Sequence, residues 1–148
     1  MENKYKKIVK NFEKKGYEVN FFETKENAVD YLEESITGKN IGFGDSLTLD
    51  YINLKEKLSL KNNVIDPGVC KNNKEFIETA RKSLTTDIFI TSVNAVTESG
   101  ELINIDDTGN RIAGSLFGHD KVYFIIGLNK LTVNHINYTI NTDKNKLL

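Results

Sequence analysis

A single α/β domain, its sheet mainly parallel and flanked by helices, is the fold class this sequence predicts, on three observations. Short β-branched apolar runs alternate with amphipathic stretches, an order that calls for helical crossovers between parallel strands. The runs at 87–91 and 122–126 are apolar at consecutive rather than alternate positions, as strands covered on both faces are. Glycine-bearing polar segments at 42–48 and 106–111 fall where such runs end and helices begin, the edge at which open α/β sheets hold ligands.

The elements follow in order. Tyr5, Ile8, Val9 and Phe12 lie at helical spacing among lysines, predicting an amphipathic helix over 4–15 that Gly16 ends. Its apolar stripe is short, so the lysines are read as a solvated face rather than a membrane-binding one. Residues 17–22 are expected as a strand, and Thr24 as the cap of a helix carrying Ala28, Val29, Leu32 and Ile36, stopped by Gly38. A short strand at 40–44 leads into a helix capped by Asp45 or Ser46. A brief strand at 63–66 meets the turn dipeptide Pro67-Gly68. Phe76, Ile77, Ala80 and Leu84 mark a helix over 73–84, followed by the buried strand at 87–91. Segments 96–98 and 101–105 flank Ser99-Gly100, where glycine can supply the positive φ of a tight hairpin, read as an insertion on the parallel plan. A capped helix at 110–116 and a buried strand at 122–126 complete the pattern. The domain is placed at 1–140, with a tail at 141–148 expected to fray.

Composition bounds the partners. At 148 residues the chain can bury a core without staples. A formal net charge of −1 offers no field toward nucleic acid or an anionic membrane. Cys70 is the only cysteine, which excludes an internal disulfide framework and any zinc or iron–sulfur site built from several cysteines of this chain. No apolar stretch approaches the ~20 residues of a membrane helix, and Met1-Glu2-Asn3-Lys4 lacks the apolar core of a secretory signal, so a cytoplasmic location is expected.

Two loops carry the candidate chemistry. In Gly42-Phe43-Gly44-Asp45-Ser46-Leu47-Thr48, a strand turning into a helix exposes backbone N–H groups near the positive helix end. Gly44, Ser46 and Thr48 are therefore expected to hold an anion. Dinucleotide and Walker spacings both fail, and an ordinary capped turn explains the same residues. Asp45 repels a highly charged phosphate and favours a hydroxyl partner or a bridging cation. The second loop supplies Asp106, Thr108, Gly109, Asn110 and Arg111. Of only two arginines, Arg81 sits in a helix of mixed charge, while Arg111 opens a helix directly after Gly109-Asn110. Its fork can meet a carboxylate or phosphate in two places, or it pairs with Asp106 or Asp107 and pins the loop. Lys130, after the last buried run, is a further candidate cation. His119 and His135 read as loop or surface residues, and Cys70 has no evident activating partner.

The segment TSVNAVTESGELINIDDTGNRIA followed by VYFIIGLNKL, with GFGDSLTL upstream, resembles the lactate-utilisation (LUD) domain family over about residues 1–135. The resemblance implies the NagB/RpiA/CoA transferase-like fold of ribose-5-phosphate isomerase, glucosamine-6-phosphate deaminase and the coenzyme A transferases. It also implies a place in lactate oxidation to pyruvate beside iron–sulfur subunits. The chain is then expected to be an accessory or substrate-binding subunit. Its expected partners are a small anionic metabolite, carboxylate or sugar phosphate, and an iron–sulfur oxidoreductase subunit. The same segment is similar to the Gly-Ala-Asp…Gly…Asn-Lys region of methylthioribose-1-phosphate isomerase and its initiation-factor relatives. That keeps open a sugar-phosphate isomerase-like enzyme or a metabolite-sensing regulatory module. Asn94 falls where those isomerases carry a catalytic aspartate, and an amide can hold a carbonyl or hydroxyl of a ligand but not exchange its proton. It is expected at the end of the 87–92 strand, facing the same cleft as Ser46. Longer relatives continue into a cysteine-bearing segment, whereas Leu148 closes this chain without one. No iron–sulfur cluster and no metal site is expected in this chain, and the cofactor stays unassigned.

Overall fold

In the computed structural model, which describes residues 3–132, four apolar runs become one parallel sheet. These are β1 (Asn40–Phe43), β2 (Asn63–Ile65), β3 (Ile88–Thr91) and β6 (Lys121–Phe124), in the order β2-β1-β3-β6. Gly42 lies opposite Ile65 on one side and Phe89 on the other, and Phe89 in turn lies opposite Val122. The α/β class with a parallel sheet flanked by helices is therefore the observed one.

Alternation along β1 and β3 assigns the two faces. Ile41, Phe43, Ile88 and Ile90 pack with Val29, Leu32 and Ile36 from α2 (Lys25–Ser35) and its end. The same cluster takes in Leu49 of α3 (Leu47–Tyr51) and Leu54 and Leu58 of α4 (Leu54–Ser59). Thr24 caps α2 as expected, accepting from the Asn27 N–H. Gly42 and Phe89 face the opposite layer, α5 (Asn73–Ser83) and α6 (Asn110–Leu116). An added Cβ on Gly42 would strike Ser83 O, and one on Gly114 would strike the Phe89 ring. Helices thus cover both faces, and β1 and β3 are fully enclosed from residue 41 to 43 and 88 to 91.

The described residues divide into two compact units. The sheet and its helices are 24–92 and 106–126; the second unit is 3–23, 93–105 and 127–132. In that second unit, α1 (Asn3–Glu13) accompanies a three-stranded sheet of β4 (Ala95–Thr97), β5 (Leu102–Ile103) and β7 (Leu131–Thr132), ordered β5-β4-β7. Gly100 has the positive φ the hairpin needs, +83°, and its missing Cβ leaves room for the Asn11 backbone of α1 at 3.0 Å. Asn11 Nδ2 donates to Glu98 O at 2.8 Å beside it.

Two expectations are corrected. Residues 17–22 form no strand; Tyr17 instead meets Phe12 edge-on and Phe21 stacks on Tyr5, so these aromatics pack as irregular chain against α1. The helix after Ser46 breaks in two at Asn53, whose φ is +52°. The expected hairpin is present as β4 and β5, and β4 also pairs in parallel with β7, which had no sequence signal. The tail expected beyond 140 and His135 lie outside the described residues.

Candidate functional site

The chain leaves β1 through α3 and α4 to reach β2, then returns through α5 to β3 on the far side of β1. Connections from β1 and β3 consequently run toward opposite edges of the sheet, the switch point at whose C-terminal strand ends open α/β sheets hold ligands. Gly44 sits there, its N–H donating to Ile90 O at 2.9 Å. A Cβ on Gly44 would lie 2.5 Å from Thr91 Oγ1 and 3.1 Å from Arg111 Cγ. The two glycine-bearing loops therefore meet: Arg111, from the start of α6, lies across the end of β1.

Ser46 precedes α3 in extended conformation and is only 7% exposed, yet its hydroxyl makes no capping hydrogen bond. Thr48 Oγ1 lies 3.5 Å from Ser92 Oγ, joining the β1 loop to the end of β3. A buried hydroxyl without its capping role retains its hydrogen-bonding capacity for something else. The helix-dipole part of the expectation is weak, since α3 has five residues and α6 seven. Positive charge at this place comes from Arg111.

The second loop is pinned by its own carboxylate. Asp106 Oδ2 accepts the backbone N–H groups of Arg111 and Ile112 at 2.9 and 3.1 Å, and Oδ1 lies 3.5 Å from Arg111 Nε. The Asp106 side chain is 4% exposed, so the α6 N-terminus already has an internal anion. Gly109 supplies the left-handed turn, φ +84°, that lets Asp106 reach back over the helix start. Asn110 is 8% exposed, and among the described residues its Nδ2 has no hydrogen-bond partner. Thr108 is exposed on the loop.

Asn94 and Lys130 belong to the other unit, and both serve its backbone. Asn94 Oδ1 accepts the Ile105 N–H at 2.9 Å, closing the hairpin base, and Lys130 Nζ donates to Val93 O at 2.7 Å.

One cluster carried no sequence signal. Lys55, at the start of α4, has a side chain only 13% exposed and reaches Asp50 Oδ1 and Asp66 Oδ2, both at 2.7 Å. Burial works against its charge, but hydrogen bonds to Asp50 and Asp66 outweigh burial and hold the ammonium above its ordinary range. Asp66 ends β2 at the same sheet edge, its side chain 5% exposed and its Oδ1 accepting from Gly68 N at 2.9 Å. Asp66-Pro67-Gly68 reads as a turn, and nothing distinguishes Lys55 among 18 lysines; only the strand-end position of Asp66 was a usable cue. No group of three or more His, Cys, Asp or Glu among the described residues is arranged to hold a metal. Cys70 Sγ lies 3.3 Å from Thr79 Oγ1, with no basic partner beside it.

Comparison with known proteins finds one relationship. The family model for the LUD domain matches residues 5–137, nearly the whole chain and both compact units. No curated protein and no solved structure matches significantly. The chain belongs to the LUD domain family and is a lactate-utilisation-related domain. No helix among the described residues is long and apolar enough to cross a membrane.

Proposed function

Taking this LUD domain as the premise, we propose that it binds a small anionic metabolite, carboxylate or sugar phosphate, where β1 and β3 end. Gly44, Ser46 and Thr48 supply one wall and Asn110 and Arg111 the other. The observation that supports the reading is the approach of Arg111 Cγ to within 3.1 Å of the Gly44 Cβ position, which sets the Arg111 side chain against the loop that carries the buried, uncapped Ser46. Arg111 contributes charge and a fork of donors, and Ser46 and Asn110 contribute unused hydrogen-bonding groups. Asp45, exposed on the same loop, disfavours dense negative charge and leaves room for a hydroxyl.

In the cell this makes the chain an accessory or substrate-binding subunit in lactate oxidation to pyruvate, working with an iron–sulfur oxidoreductase subunit in the cytoplasm. A binding role suits the residues better than aldose–ketose isomerisation, because the Asn94 amide oxygen is engaged by Ile105. A carboxyl at that place would be needed to exchange a proton. A thermal-shift screen of small carboxylates and sugar phosphates tests the proposal. A true ligand at 100 times its Kd stabilises by about 2.7 kcal/mol, readily seen as a raised Tm. No shift with any member of either class contradicts it.

A further inference from the structure

We infer that the gap above Gly68 is a second subsite, for a hydroxyl group, framed by Asp45, Lys55 and Asp66. It deepens the anion reading and rests on it, since Asp45 lies between Gly44 and Ser46. An anion seated on that loop would carry its neighbouring hydroxyl toward this gap.

Gly68 is exposed, so the gap opens to solvent. A Cβ built on Gly68 would lie 3.1 Å from Asp66 Oδ1, 3.3 Å from Asp45 Oδ1 and 3.5 Å from Lys55 Nζ. Acceptors from two strand ends and a donor from α4 therefore converge on one point that the missing side chain leaves open. A lysine ammonium has three N–H groups; one is donated to Asp50 Oδ1, Asp66 Oδ2 lies at 2.7 Å as an ion-pair contact, and donor capacity remains for a ligand oxygen. Asp45 has no side-chain partner among the described residues, so its carboxylate is available to accept. The pairing selects by charge. A second anionic group is repelled by Asp45 and Asp66, and an ammonium by Lys55. A hydroxyl, which donates and accepts at once, satisfies both sides. The ligand class is accordingly an anion that also bears a hydroxyl group.

Gly68→Ala is the discriminating substitution. Gly68 is not in the left-handed region, and the contacts a methyl would meet end on flexible carboxylate and ammonium tips, so the backbone tolerates Ala while the gap is filled. Isothermal titration of glycerol 3-phosphate and of methyl phosphate into wild type, Gly68→Ala and Asp45→Asn reads the subsite as a ratio of affinities. Wild type should prefer glycerol 3-phosphate by about tenfold, the scale of one hydrogen bond to a charged group. The ratio should fall within about twofold in both variants. Equal affinities in wild type, or a preference surviving both substitutions, overturns the subsite and leaves the anion site standing. Failure of both compounds to bind wild type overturns the two together.

Discussion

Gly114→Ala sets two known effects against each other at the helix that carries Arg111. In a helix interior, alanine is favoured over glycine by about 1 kcal/mol, so propensity alone predicts a more stable protein. The methyl, however, would lie 2.6 Å from Phe89 Cε1 and Cε2 and closer still to Cζ. Carbon atoms rest about 3.5–4.0 Å apart, so the ring or α6 must move by about 1 Å. Phe89 is fully buried and stacked on His119 at 5.1 Å, and His119 Nδ1 is tied to Thr86 O at 2.8 Å, so the ring has nowhere to retreat. Overpacking of this kind costs about 1–3 kcal/mol, and here the upper end applies. The net expectation is a loss of about 1–2 kcal/mol, or about 2–8 °C in Tm. Urea denaturation gives the number directly, as a lowered midpoint at unchanged m. A Gly114→Ala protein as stable as wild type, or more so, would refute the close packing of α6 on β3. Adding Phe89→Leu should then recover part of the loss, because it removes the atoms the methyl strikes.

Three further outcomes follow from charge. Lys55→Met leaves the nearly buried Asp66 carboxylate with only the Gly68 N–H, and should destabilise by about 3 kcal/mol, with Lys55→Met/Asp66→Asn recovering most of it. Because the Lys55 ammonium is held above its ordinary 10.5, its stabilisation is present below that pH and lost as pH rises through the folded value; the wild-type urea midpoint should fall in that alkaline range and that of Lys55→Met should not. Asp87, at the opposite sheet edge, is held below its ordinary 3.8 chiefly by the Asn40 backbone N–H. Its contribution is present above that pH and lost as pH falls through the folded value, so the midpoints of wild type and Asp87→Asn should differ at pH 6 and converge as pH falls through that lowered value; a gap that does not narrow contradicts the linkage.

Legibility in the sequence followed how local the physics is. Strands β1, β3 and β6 and helices α2, α5 and α6 were readable because apolar spacing and caps such as Thr24 act within a few residues. The break at Asn53 was not readable, since a left-handed residue there is imposed by how α3 and α4 each reach the core through Leu49 and Leu54. β7 was invisible because two residues carry no period, and their strand character comes wholly from pairing with β4. At the candidate site, glycines 44 and 109 marked two loops that meet through Arg111, a meeting that the fold class suggests but local spacing does not fix. That Asp106 caps α6 was one of two open readings of the loop; that Asn94 closes the hairpin and Lys55 bridges two aspartates depends on partners up to 11 residues away, which spacing rules do not reach.

Isothermal titration of inorganic phosphate and sulfate into wild type and Arg111→Ala is the most direct measurement of the anion site. Asp106 keeps its backbone bonds to residues 111 and 112 in the variant, so the loop should persist while the guanidinium is lost. Wild type should bind, and Arg111→Ala should bind about 10- to 150-fold more weakly, the loss of a hydrogen bond to a charged group worth about 1.5–3 kcal/mol. Equal affinity in the two proteins would mean that Arg111 serves only to hold Asp106 and that no anion is bound where β1 and β3 end.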